Sequence, residues 1–349
     1  MSNHDLPKRF LNGFALLVAC SVVVLIGLGG LVTSHEAGMA VPDWPNSFGY
    51  NMFLFPVSRW VGGVFFEHTH RLVASVVGLL TIVLFVFTLF IEDRKWVKWL
   101  SGIALVAVII QGVLGGLRVT QASPVLGLFH GCLAQGYLAL VATIALVTTR
   151  FWRRLEQPIS NWRELRRLRF WTIFVTGMIF FQLVLGTSMR HAHAGLSIPD
   201  FPTVYGGFLP PMDAASIAEI NEARAALTPP LALTTAHLIG LQYVHRVWAV
   251  VIVVGLIWVA VSLIRRRQLP AQLRFGAGLW VFLVVVQFGL GIWTIWSNKA
   301  ADVATAHQVC GALTLTTGVL LSLILSTLHG RVFSRGSPQS TDPLEFMRA

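Results

Sequence analysis

A chain of 349 residues with 55% hydrophobic and only 12% charged residues lies far below the roughly 25% charged content of soluble domains, which excludes a soluble enzyme. The net charge of +11 does not point to nucleic acid, because the lysines and arginines stand in short loops between apolar runs, where they set membrane orientation. The three cysteines, Cys20, Cys132 and Cys310, all fall inside apolar runs, so no loop disulfide, Cys-x-x-Cys heme attachment or zinc motif is expected.

In chain order, eight runs reach the roughly 20 residues needed to span a bilayer. They lie near 10–33, 64–91, 96–119, 124–149, 168–190, 235–264, 272–296 and 301–329. The first run has no small-residue cleavage site and is read as a retained helix. The expected fold is therefore an all-α integral membrane protein with eight transmembrane helices. Nineteen Lys and Arg fall on the side of both termini and five in the opposite loops, which predicts cytoplasmic termini. This gives a cytoplasmic N-terminus (1–9), a four-helix half (10–150), a basic cytoplasmic linker (151–167), a second four-helix half (168–329) and a cytoplasmic tail (330–349).

The outer loops, 34–63 and 191–234, carry a repeat. Ala37-Gly38-Met39-Ala40-Val41-Pro42-Asp43-Trp44-Pro45 aligns with Ala194-Gly195-Leu196-Ser197-Ile198-Pro199-Asp200-Phe201-Pro202, 157 residues later. Further along, His70 aligns with His245, Gln111 with Gln287 and His130 with His307, at spacings of 175 to 177. The second outer loop is thus longer, and its segment 212–227 suits a short interfacial helix. Copies separated by four helices enter the membrane from the same side. The two halves are therefore expected to be pseudo-symmetric four-helix bundles about an axis along the membrane normal.

The chemistry gathers at Glu67-His68-Thr69-His70-Arg71, with a partial copy at Gln242-Tyr243-Val244-His245-Arg246. Ionisable residues inside a span are costly and mark function by default. His70, His130, His245 and His307 each stand near the outer start of a span, about 9–15 Å deep at 1.5 Å per residue. Imidazoles at equal depth suit the two axial positions of a porphyrin iron, whereas a single one would be read as an interhelical hydrogen bond. Arg71 and Arg246 are candidates for the porphyrin propionates, with snorkelling as the alternative. Gly112, Gly115, Gly116, Gly289 and Gly291 thin the third and seventh spans. Glu67 shares a helix face with His70 and is the candidate acid–base group, or else a structural partner of Arg71. The second half has Gln242 in its place. His35, His191 and His193 stand at outer helix ends, and His191-Ala192-His193 is a weak metal pattern. His68, His237 and His329 have no assigned task.

Glu67-x-x-His70-Arg71, His130, His245-Arg246 and His307, in order within a duplicated eight-span chain, resemble the heme A synthase family over residues from about 11 to 328. The resemblance implies an oxidoreductase that converts the C8 methyl of heme O to the formyl group of heme A by successive hydroxylations. It implies the substrate between His70 and His130 beside Glu67, and a heme b cofactor between His245 and His307. It also implies a bacterial cell membrane location, heme O synthase as substrate donor, and an electron acceptor that the sequence does not identify. Some members carry an outer-loop cysteine pair, which this chain lacks. A di-heme electron-transfer protein linked to quinone, and a heme transporter or chaperone, stand as alternatives.

Overall fold

Among the described residues, eight helices are long and apolar enough to cross a membrane. A computed structural model describes residues 5–155 and 162–336, with side chains for 6–155 and 163–328. The long helices are α1 (Asp5–Ser34), α2 (Gly63–Ile91), α3 (Lys95–Thr120), α4 (Pro124–Thr148), α6 (Trp162–His191), α8 (Ala236–Ile264), α9 (Ala271–Trp296) and α10 (Ala301–Gly336), with short α5 (Arg150–Arg153) and α7 (Ala214–Ala225) between them. The eight expected spans are all present, and α7 falls on the expected interfacial segment. Two helices begin earlier than expected, α1 at Asp5 and α6 at Trp162. Their first turns are polar and carry Lys8, Arg9, Arg163, Glu164, Arg166 and Arg167; Arg, Lys and Glu are good helix formers but give no apolar signal. The first four residues, the centre of the expected linker (156–161) and the tail beyond 336 lie outside the described residues.

Local chemistry sets several of the helix starts. Ser123 caps α4 by accepting from the Leu126 amide, and Pro124 follows at the first helical position, where its missing N–H costs nothing. Thr235 caps α8 through the Leu238 amide, and Asp213 caps α7 through the Ser216 amide. Inside the spans, hydroxyls return to the carbonyl one turn back, as Thr88 does to Leu84 at 2.7 Å. Thr81 also meets the Tyr137 hydroxyl at 2.5 Å, and the Trp280 indole N–H donates to the Thr314 carbonyl at 2.9 Å. A bilayer interior offers no water, so such groups must find partners within the protein.

Packing follows the order of the chain. In the first half α1 lies against α2 and α4, with α3 between α2 and α4; in the second, α6 lies against α8 and α10, with α9 between them. Contacts of α1 with α10, α10 with α4 and α4 with α6 join the two sets. α4 and α10 are the most enclosed spans and α3 and α9 the least. The outward faces of α3 and α9 present Ile103, Ile109, Phe275 and Phe282, apolar residues suited to acyl chains.

The loops 34–63 and 191–234 each close with the same turn. The Asp43 carboxylate accepts from the amides of Phe48 (2.6 Å) and Gly49 (2.8 Å). Asp200 accepts from Tyr205 (2.8 Å) and Gly206 (2.9 Å), and from the Thr203 hydroxyl. Gly49 and Gly206 adopt φ of +77° and +78°, a left-handed conformation that glycine takes without steric cost. The Pro-Asp-Trp-Pro and Pro-Asp-Phe-Pro motifs are thus built around a carboxylate-stapled turn.

Candidate functional site

Each of the four candidate histidines packs against a glycine on a neighbouring helix. A Cβ added at Gly29 of α1 would stand 3.1 Å from the His70 ring, and one at Gly115 of α3 would stand 3.2 Å from His130. The second half repeats this, with Gly186 of α6 at 3.2 Å from His245 and Gly291 of α9 at 3.1 Å from His307. The four notches let each imidazole lie flush against backbone, which larger residues would prevent. Gly115 and Gly291 were legible as helix-thinning positions. Gly29 and Gly186 were missed, although they stand 157 residues apart like the loop motifs.

The carbonyl one turn before a notch is open to a second hydrogen bond. His130 Nδ1 donates to the Gln111 carbonyl and His307 Nδ1 to the Gln287 carbonyl, both at 3.1 Å. That bond fixes the tautomer and leaves the Nε2 lone pair as the metal-binding or accepting atom. His307 Nε2 meets the Gln287 side-chain amide at 3.3 Å. Side-chain amides also brace the histidine-bearing helices: Gln111 donates to the His130 carbonyl and Gln182 to the His245 carbonyl. The Nδ1 atoms of His70 and His245 are buried with no hydrogen-bond partner. His70 lies near His130, and His245 near His307.

The acid and the arginines hold the two long loops. Glu67, 4% exposed, accepts from the Val41 amide at 3.0 Å through one oxygen and pairs with Arg71 at 2.6 Å through the other. Arg71 also donates to the carbonyls of Val41 (2.7 Å), Asp43 (2.6 Å) and Asn46 (3.1 Å). In the second half Gln242 accepts from the Ile198 amide at 2.6 Å. Arg246 donates to the carbonyls of Ile198, Asp200 and Thr203 at 2.8–3.2 Å, the residues aligned with Val41, Asp43 and Asn46. Arg71 and Arg246, expected as propionate ligands, therefore direct their terminal nitrogens at loop carbonyls and clamp each loop over its helix mouth. The structural partnership of Glu67 with Arg71 is present in full. Burial pushes the Asp43 carboxyl up, but the Gly49 and Phe48 amides and the Arg71 charge outweigh it and hold Asp43 below the usual carboxylate range. Asp200 is lowered in the same way, burial being overcome chiefly by the Gly206 amide, the Thr203 hydroxyl and the Tyr205 amide.

The remaining histidines are accounted for locally. His68 is fully buried beside Ser47 (3.2 Å) and between Phe55 and Trp60, so it anchors the first loop. His35 stacks on Phe66 at 4.2 Å. His193 is exposed and 3.9 Å from Glu36, while His191 packs against Gly127. His237 is exposed, and the side chain of His329 lies outside the described residues. Among the described residues no three His, Cys, Asp or Glu side chains group as a metal cage. The four histidines stand singly on four different helices, α2, α4, α8 and α10. All three cysteines are free.

Comparison with known proteins places this geometry in context. A family model described as "Cytochrome oxidase assembly protein", COX15-CtaA, matches residues 12–319. The chain is 27% identical over 335 residues to the heme A synthase of Caulobacter sp. (strain K31), covering 86% of this chain and 92% of the relative. It is 23% identical over 317 residues to that of Alkalihalophilus pseudofirmus (90% and 96% covered) and 24% identical over 339 residues to that of Nitrosomonas eutropha (87% and 90% covered).

Proposed function

The chain belongs to the COX15-CtaA family of cytochrome oxidase assembly proteins, and on that premise we propose that it is a heme A synthase, a membrane oxidoreductase that converts the C8 methyl of heme O to the formyl of heme A. The observation that carries the reading is the duplicated histidine pair. Two pairs, on α2 with α4 and on α8 with α10, each ring seated in a glycine notch of a further helix, suit two porphyrins better than they suit interhelical hydrogen bonds.

We assign His70 and His130, in the half spanning 10–150, to the iron of the substrate heme O, and His245 and His307, in the half spanning 168–329, to a heme b. Bound there, the heme b supplies electron transfer. The residues around it hold the two imidazoles and exclude water, with the clamped Phe201 loop as cover. In the first half the loop is held by Glu67 where the second uses Gln242. Gln242 demonstrates that an uncharged oxygen is enough to hold a loop amide. The charge on Glu67 is therefore additional to the loop's need, and we assign it to proton acceptance or to stabilising positive charge developing on the substrate. That asymmetry favours a synthase over a di-heme electron-transfer protein, in which neither half needs an acid.

The matched loops, clamps and notches support an arrangement of two pseudo-symmetric four-helix bundles. The excess of Lys and Arg at the ends of α1, α2, α4, α8 and α10 supports cytoplasmic termini in a bacterial cell membrane, with a heme O synthase delivering substrate from within the same bilayer. Heme content and optical spectra of His130→Ala and His307→Ala test the assignment. His130→Ala is expected to lose product formation while retaining the second-half heme, and His307→Ala to lose that heme. Equal loss of both hemes from a folded His130→Ala protein would contradict the division between halves.

A further inference from the structure

We propose that Arg118 binds a carboxylate at the rim of the porphyrin held between His70 and His130; the proposal rests on the assignment of that pair to a porphyrin. Arg118 lies on α3 three residues after Gly115, the notch that receives His130. It is therefore on the same helix face, about 4.5 Å nearer the outer surface at 1.5 Å per residue.

Space has been kept around its head group from two directions. A Cβ at Gly38 of the first outer loop would stand 2.5 Å from Arg118 Nη2, and one at Gly127 in the first turn of α4 would stand 3.2 Å from Nε. His191, at the outer end of α6, closes the third side against Gly127. Among the described residues the guanidinium has no hydrogen-bond or ion-pair partner, and the one carboxylate whose charge reaches it is Glu67. Both Glu67 oxygens are already engaged, by Arg71 and by the Val41 amide.

The other arginines near the outer ends of these helices are not available. Arg71 is turned onto loop carbonyls. Arg190 donates to Gln308, to the Gly30 carbonyl and to Ser34, tying α6 to α10 and α1. A half-buried guanidinium without an anion carries part of the desolvation cost of a buried charge, and its planar fork matches a carboxylate in bidentate contact. The second half places a cation at the matching point. Lys299 lies against Gly195, its Cδ 3.4 Å from a Cβ added there, and Gly195 aligns with Gly38. Each loop glycine thus packs against one cationic side chain.

The test is a titration of the full-length protein in detergent, with the second-half heme in place, using iron protoporphyrin IX and its dimethyl ester followed by Soret absorbance. Wild type is expected to bind the diacid at least tenfold more tightly than the diester, equivalent to about 1.4 kcal/mol. Arg118→Gln should bind both forms alike, at the affinity of the ester, and Arg118→Lys should regain part of the preference. An undiminished preference in Arg118→Gln, or no preference in wild type, overturns the proposal. The second-half heme spectrum reports whether Arg118→Gln is folded. If it is not, Gly38→Ala, which keeps Arg118 and crowds its Nη2, must lower the preference, and an unchanged preference there overturns the proposal. If no added porphyrin reaches a site that His130→Ala removes, the porphyrin assignment fails and takes this proposal with it, an outcome distinct from a filled site that ignores Arg118.

Discussion

Replacing Glu67 with glutamine makes the first half copy the second, and so separates the loop-holding task of this residue from its charge. The glutamine oxygen can accept from the Val41 amide as Gln242 accepts from Ile198 at 2.6 Å. Arg71 keeps its three loop carbonyls at 2.6–3.1 Å and loses the carboxylate at 2.6 Å. One hydrogen bond to a charged group contributes about 1.5–3 kcal/mol, and the replacement amide recovers part of it. Glu67→Gln should therefore fold, retain both hemes and show a small loss of stability. Glu67→Ala removes the oxygens altogether and leaves a buried guanidinium without its ion pair, at about 3–5 kcal/mol. Acid–base groups contribute roughly 10²–10⁴ in rate, so Glu67→Gln should depress heme A formation by about that factor. The assay pairs thermal unfolding of the heme-loaded protein with product chromatography. Normal turnover in Glu67→Gln would refute the catalytic assignment, and a protein unfolded by that change alone would refute the equivalence of Glu67 and Gln242 as loop clamps.

Further outcomes can be checked in parallel. Gly115→Leu should displace the His130 ring, since even a Cβ there comes within 3.2 Å, and should empty the first site while the second keeps its heme spectrum; the reverse is expected for Gly291→Leu. Arg246→Leu should leave the loop carbonyls of Ile198, Asp200 and Thr203 without their donor and raise hydrogen exchange across the 198–207 turn, leaving the 41–50 turn unchanged. Asp43 and Asp200 have folded values below the usual one of about 3.9. Their contribution to loop stability is therefore full above that pH and is lost as pH falls through the lower folded values. Protection factors in both turns, with the intrinsic pH dependence of exchange divided out, should stay constant from neutral pH down to about 4 and fall only in stronger acid.

Much of the architecture was legible because a bilayer imposes length and apolarity on every span, and the histidines were legible because charge and imidazole are rare inside spans. The helix starts at Asp5 and Trp162 were not, since their first turns are polar and helical at once. The task of Arg71 was hidden for a different reason. Its acceptors are the backbone carbonyls of Val41, Asp43 and Asn46, and a sequence shows side chains but not where carbonyls point. The loop motifs were visible as a repeat, but the reason for their aspartates emerged only when each was found to hold two amides of one turn. Arg118 was counted among the outer-side charges; what distinguishes it is the pair of glycines, Gly38 and Gly127, that approach it from other elements.

The most direct test of the central claim is extraction and chromatography of heme from membranes in which this protein is co-expressed with a heme O synthase. The account predicts heme A, or its hydroxymethyl precursor, dependent on His70 and His130. Only heme B and unaltered heme O, from a folded protein carrying both hemes, would contradict it and leave a di-heme electron-transfer protein in its place.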